Sequence, residues 1–240
     1  MSEEIESSSP VVDRLNTYLS RPAGGSRAGM LLLPMISGIS ARVREFADGF
    51  AQAGITALCW DPWQGRPSGD RTSMEVLLGW MGALDDEACL AEQRRLLDHL
   101  FGELGCTRAG VIGWCMGGRF ALLLGGRDDR LANVTAYHPT VPGTPAPNHT
   151  LDAAELCGAI RAPVMMLYPG ADELVPQRSF QRLQSALQSR ASGPSIVHVY
   201  PGAEHGFSGS TRLHSAVNTE AFTISWPQAI QFAVTTTADG

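Results

Sequence analysis

The sequence predicts an α/β protein with a mostly parallel sheet flanked by helices on both faces. Three observations carry that prediction. Short apolar runs alternate with segments of helical period along the chain. The runs Met30–Leu33, Ile55–Trp60 and Val164–Tyr168 are nearly continuous in apolar character, as strands buried on both faces require. No repeat or linker interrupts the alternation, so the 240 residues suit one domain.

Residues 1–12 open on the acidic, serine-rich MSEEIESSSP and read as a flexible terminus, leaving 13–240 as the domain. Asn16 to Arg21 is expected as an edge strand before the turn-rich PAGGSRAG. Pro34 ends the strand at Met30–Leu33. Ser40 then suits an N-cap, Val43, Phe46, Ala47, Phe50 and Ala51 recur at helical spacing, and Gly54 closes the helix. Ile55–Trp60 is the next strand, followed by the loop DPWQGRPSGD. Asp85, Asp86 and Glu87 suit a first helical turn, where the helix dipole favours negative charge. Leu90, Leu96, Leu97, Leu100 and Phe101 supply that helix's apolar face. RAGVIGW is a strand feeding a helix that includes Phe120–Leu124. Leu131–Tyr137 and Ser195–Tyr200 are further strands, a helix runs from about Pro176 to Gln188, and a last helix lies near the C-terminus.

Composition narrows the function. Hydrophobic residues make up 44% and charged residues 18%, and the net charge is −6 with no run of basic residues. Nucleic acid and membrane surfaces are therefore not expected partners. The N-terminus lacks the apolar core of a secretory signal, and no run approaches the roughly 18 apolar residues of a membrane span. A cytoplasmic monomer or small homo-oligomer is the expectation. The five cysteines, Cys59, Cys89, Cys106, Cys115 and Cys157, are scattered without a C-x-x-C pair, and no histidines have H-x-x-x-H spacing. No disulfide framework, metal or cofactor is expected.

One cysteine stands apart. In GVIGWCMGGR, Cys115 lies between Gly113 and Gly117, with a strand before it and a helix after it. This is the G-x-nucleophile-x-G elbow, whose central residue adopts a strained backbone and whose neighbours must be small. The helix N-terminus favours a thiolate at Cys115, and the Met116 N–H suits a developing oxyanion. A buried, inert cysteine is the bland alternative. A nucleophile needs a base and the base an orienting acid. PGADELVP places Asp172 after one strand, with Glu173 as a rival, and PGAEHGF places His205 after the next. His138, in AYHPT, also follows a strand and serves either the pocket or the structure. Met35, Trp114, His138 and Phe207 are the candidates for substrate contact.

The elbow at Gly113–Gly118, PGADELVP and PGAEHGF together resemble the dienelactone hydrolase family, the cysteine-nucleophile branch of the α/β-hydrolase fold, from about Tyr18 to the C-terminus. The resemblance implies opening of a small lactone, as a carboxymethylenebutenolidase does, or cleavage of a small ester. Cys115 would attack the carbonyl, His205 shuttle the proton and Asp172 hold the imidazole. The oxyanion would rest on the N–H groups of Met116 and Ile36, Pro34 having none. Two departures concern activation of the thiol and the substrate. Family members that act on dienelactone carry a glutamate near the thiol, where this chain has Met35, and an arginine four residues past the histidine, where it has Gly209. Neutral esters or lactones are therefore expected to be processed at least as well as anionic dienelactones, unless Arg71 or Arg212 supplies a substitute charge. A general small-ester esterase and a catalytically silent binding protein are the alternatives.

Overall fold

The apolar runs form the middle of one sheet. The structure, a computed structural model, describes residues 4–66 and 72–238. Its strands are β1 (Ile5–Ser8), β2 (Val11–Val12), β3 (Leu15–Pro22), β4 (Ala28–Leu33), β5 (Thr56–Trp60), β6 (Arg108–Trp114), β7 (Leu131–Tyr137), β8 (Val164–Pro169) and β9 (Ser195–Tyr200). The helices are α1 (Ala41–Gln52), α2 (Met74–Gly82), α3 (Asp86–Gly102), α4 (Met116–Gly125), α5 (Ala153–Ala159), α6 (Gln177–Gln188) and α7 (Ala216–Thr237). Strand order is β1-β3-β5-β4-β6-β7-β8-β9, with β2 paired to β3. From β5 through β9 every neighbouring pair is parallel, and β1, β2 and β5 meet β3 antiparallel.

Alternation along the strands divides the core in two. Leu31, Leu33 and Val111 face α3, α4, α5 and α6 with Leu97, Leu122 and Leu183. Met30, Leu32, Ile112 and Trp114 face α1 and α7, where Phe46 lies 4.6 Å from the Trp114 ring. In α1 the buried set is Val43, Phe46, Ala47, Phe50 and Ala51, the residues expected from spacing. Ser40 stands at its N-cap position without a side-chain bond to the helix.

Three expectations need correction. The segment read as a flexible terminus contains β1 and β2, both held by hydrogen bonding to β3. Consequently β3 is not an edge strand, and β1 takes that position. The helices α2 and α5 were not anticipated. In α2 only Leu77 is buried while Met74, Val76 and Leu78 are exposed, so no apolar stripe marks it. α5 has only seven residues, too few for a clear period, although Asp152 caps it through the N–H groups of Ala154 and Glu155. Arg71 lies outside the described residues.

The chain moves from β4 outward to β5 and then returns to β6 on the other side of β4. That reversal opens a crevice at the carboxyl ends of the strands, where open α/β sheets bind ligands. The segments after β4, β6, β7, β8 and β9 carry Ile36, Cys115, His138, Asp172 and His205 to this rim. No helix among the described residues is long and apolar enough to cross a membrane.

Candidate active site

Cys115 has φ 57° and ψ −116°, a conformation that an L-residue adopts only under constraint. The glycines around it provide that constraint. A Cβ on Gly113 would strike the backbone of Gly117, and one on Gly117 would strike the carbonyls of Leu33 and Pro34. Strand, helix and the segment after β4 can therefore meet only with glycine at both places. The Cys115 N–H bonds the Tyr137 carbonyl at 3.0 Å and lies 3.2 Å from His138 Nδ1. The thiol is thus held at the head of α4, partly open, whereas the other four cysteines are buried.

Two loops bring the other polar groups. His205 Nδ1 lies 2.8 Å from Asp172 Oδ2, with the Asp172 side chain fully buried and His205 10% exposed. The second Asp172 oxygen accepts the N–H groups of Leu174 and Val175, both at 2.9 Å, so the carboxylate cannot rotate away. Glu173 is exposed and makes no comparable contact with His205. Thr140 Oγ1 donates to Cys115 Sγ at 3.1 Å and stands 3.3 Å from His205 Nε2.

Burial opposes charge on the Cys115 thiol, but hydrogen bonds from His205, Thr140 and the Met116 N–H, with the nearby imidazole charge, hold its pKa below the ordinary value. Elsewhere burial prevails, pushing the Cys106 thiol up to about 11 and those of Cys89 and Cys157 to about 12, with the carboxylates of Glu92, Asp86 and Asp85 adding to the rise at Cys89. His205 is also penalised by burial, yet its bonds to Asp172 and Cys115 raise it to about 10. Thiolate and imidazolium therefore support each other. His138 is fully buried, and burial together with the neighbouring His205 holds its pKa well below the usual range.

Not every candidate lies where the sequence suggested. Trp114 and Phe207 are fully buried core residues. Strand alternation puts Trp114 on the face of Ile112, stacked on Phe46, while Phe207 packs among Tyr137, His138 and Tyr200. His138 sits behind the site, its ring centroid 5.2 Å from that of His205, with φ 36°. Its Nδ1 faces the Cys115 N–H, so the neutral ring carries its proton on Nε2 and donates it to Ser208 Oγ at 2.9 Å. Met35 is half-buried and close to Gly209. The Met35 carbonyl accepts the Gly38 N–H at 2.9 Å, which directs the trans-related Ile36 N–H the other way. Arg212 pairs with Glu204 at 3.2 Å.

Three features escaped the sequence reading. Thr140 and Ser208 are small hydroxyl residues in loops, without a pattern to mark them. The third is an ion pair beneath the crevice: Arg119 Nη1 and Nη2 each lie 2.7 Å from an Asp86 oxygen, and both side chains are buried. Arg119 also donates to the Leu151 carbonyl at 3.0 Å, and the Leu151 N–H returns to Asp86 at 3.0 Å. Asp86 looked like a helix-dipole acid because its partner is remote in sequence. A small cavity beside the elbow is lined by the apolar Met81, Leu84, Met116 and Phe120 and by the polar Thr140, Asn148 and His149, with the Asp86–Arg119 pair itself in the wall.

The family model for the dienelactone hydrolase family matches residues 15–236. The chain belongs to that family. Among its relatives is the carboxymethylenebutenolidase of Rhodococcus opacus, 27% identical over 211 residues, 87% of this chain and 81% of the relative. Carboxymethylenebutenolidase 2 of Cupriavidus pinatubonensis is 28% identical over 193 residues, 77% of this chain and 76% of the relative. The crystal structure of a candidate dienelactone hydrolase from Klebsiella pneumoniae is similar in fold, with a TM-score of 0.82 at 20% identity, covering 97% of this chain and 99% of that one. The dienelactone hydrolase-like chain is therefore a hydrolase of the lactone and carboxylic-ester class.

Proposed function

We infer that this family member opens a small lactone or cleaves a small ester through Cys115, His205 and Asp172. The observation that carries the reading is the strained Cys115 at the head of α4, with its thiol pKa depressed beside an imidazole bonded to a buried carboxylate. The thiolate attacks the carbonyl carbon. Negative charge passes to the carbonyl oxygen, where the N–H groups of Met116 and Ile36 stabilise it. His205 Nε2 then protonates the leaving alkoxide, which in a lactone stays tethered to the acyl group. Water, deprotonated by the same nitrogen, hydrolyses the thioester and returns the thiol.

The surroundings support a neutral substrate. Apolar side chains supply most of the open surface of the cavity beside the elbow, its lining Arg119 is satisfied by Asp86 and Leu151, and Arg212 is matched by Glu204. A substrate carboxylate would have to compete for either arginine.

The test is turnover of a panel of enol lactones and p-nitrophenyl esters by the native chain and by Cys115→Ala. The native protein should hydrolyse a member of the panel and lose that activity when one equivalent of iodoacetamide labels Cys115. Cys115→Ala should retain the fold and lose turnover by at least about a thousandfold. Persistence of most activity in that variant would eliminate the thiol mechanism.

A further inference from the structure

Thr140 has no role in the chemistry outlined above, yet its hydroxyl touches both reacting groups. Oγ1 is 3.1 Å from Cys115 Sγ and 3.3 Å from His205 Nε2. The Thr140 N–H also bonds the Cys115 carbonyl at 3.0 Å, which ties the residue to the elbow itself.

Proton counting gives the hydroxyl two working arrangements. It has a single proton to donate. When that proton goes to sulfur, Oγ1 can only accept from His205, so Nε2 carries a proton, which it shares between Oγ1 and the sulfur it also faces. Nδ1 faces the Asp172 carboxylate, which can only accept, so Nδ1 carries a proton as well. The ring is then an imidazolium and the sulfur a thiolate. In the reverse arrangement a neutral thiol donates to Oγ1, and Oγ1–H donates to a neutral Nε2.

We propose that Thr140 is a further catalytic residue, its hydroxyl bridging Cys115 and His205 and stabilising the thiolate that attacks the substrate. The proposal rests on the assignment of Cys115 as nucleophile. In passing between the two arrangements, the S–H bond breaks and its proton goes to Oγ1, while the proton originally on Oγ1 goes to Nε2. One proton has moved from sulfur to imidazole, no electron pair is lost, and threonine is again a neutral hydroxyl. The titratable groups around this bridge are Cys115 at the head of α4, His205 after β9, Asp172 behind it after β8, and His138 after β7. The depressed thiol pKa, to which the Thr140 bond contributes, agrees with this role.

The experiment compares Thr140→Val, which keeps the shape and removes the hydroxyl, with Thr140→Ser, which keeps the hydroxyl. Iodoacetamide alkylation of Cys115 is followed from pH 5 to 10 by mass spectrometry, alongside kcat and KM on a neutral ester that the native chain hydrolyses. Thr140→Val should raise the alkylation midpoint by about one to two pH units and lower kcat at least about tenfold with little change in KM, as expected for a lost hydrogen bond to a charged acceptor. Thr140→Ser should stay within about threefold of native on the same estimate. If thermal melting shows that valine disrupts the fold, Thr140→Ala replaces it. A native alkylation profile without the hydroxyl would overturn the proposal, as would a serine variant as impaired as the valine one. Turnover surviving in Cys115→Ala would instead refute the parent assignment, whatever Thr140 does.

Discussion

Arg119→Met should strongly destabilise the chain, because it leaves a buried carboxylate without its cation. Asp86 is 1% and Arg119 4% exposed, and their contact is bidentate with both distances 2.7 Å. After the substitution Asp86 keeps the Leu151 N–H at 3.0 Å and its helix position, and the half-buried His149, whose charge burial opposes, is its nearest titratable neighbour in place of the guanidinium. Removing one member of such a pair costs about 3–5 kcal/mol. For a chain of this size that is a fall in Tm of roughly 6–20 °C. The cost should depend on pH. Although burial would raise the Asp86 pKa, Arg119 and the Leu151 N–H hold it below the usual carboxylate range. Its depressed value stabilises the native fold above the unfolded pKa, near 4, and that contribution is lost as pH falls further. In the variant, burial acts without Arg119, so the carboxyl pKa rises above the unfolded value. Protonation then relieves the penalty as pH drops, and the gap to native should narrow. Urea unfolding at pH 7.5 and 5.0 measures both effects. Asp86→Leu/Arg119→Met, with neither charge, should recover most of the loss. A deficit below about 1 kcal/mol at pH 7.5, or one equally large at pH 5.0, would contradict the reasoning.

Asp172→Asn should cut kcat/KM by about two to four orders of magnitude, while Glu173→Gln should change it less than about twofold. The Leu174 and Val175 N–H groups retain the amide oxygen, so the amide NH2 faces His205 Nδ1 and drives the ring proton to Nε2, the wrong tautomer for a base. Steady-state kinetics on one ester decides it, and equal sensitivity at Glu173 would reassign the acid. His138 should make the fold acid-sensitive. Its folded pKa is depressed, so below about pH 6.5 the unfolded chain takes a proton the native chain refuses, costing up to about 1.4 kcal/mol per pH unit. His138→Asn, whose asparagine tolerates the positive φ, should flatten urea-derived stability between pH 6.5 and 5 by one proton. An unchanged slope would show that His138 is charged in the native state.

Local chemistry in the sequence determined the parallel core, the glycine-flanked turn at Cys115 and the strand ends that carry Asp172 and His205. Apolar runs mark strands buried on both sides, and Gly113, Cys115 and Gly117 declare a sharp turn because close backbone approach excludes a Cβ. Asp172 and His205 were legible because each follows an apolar strand that delivers its loop to the same rim. Tertiary structure decided what depends on a partner distant along the chain. β3 lies inside the sheet because β1 covers it, which no property of residues 15–22 announces. Trp114 and Phe207 turn into the core because their neighbours there, Phe46 and Tyr137, come from other elements. Asp86 and Arg119 are 33 residues apart, and Thr140 and His205 are 65 apart. Periodicity reports which face of an element avoids water, whereas a hydrogen bond or ion pair depends on which groups the folded backbone sets within about 3 Å of each other.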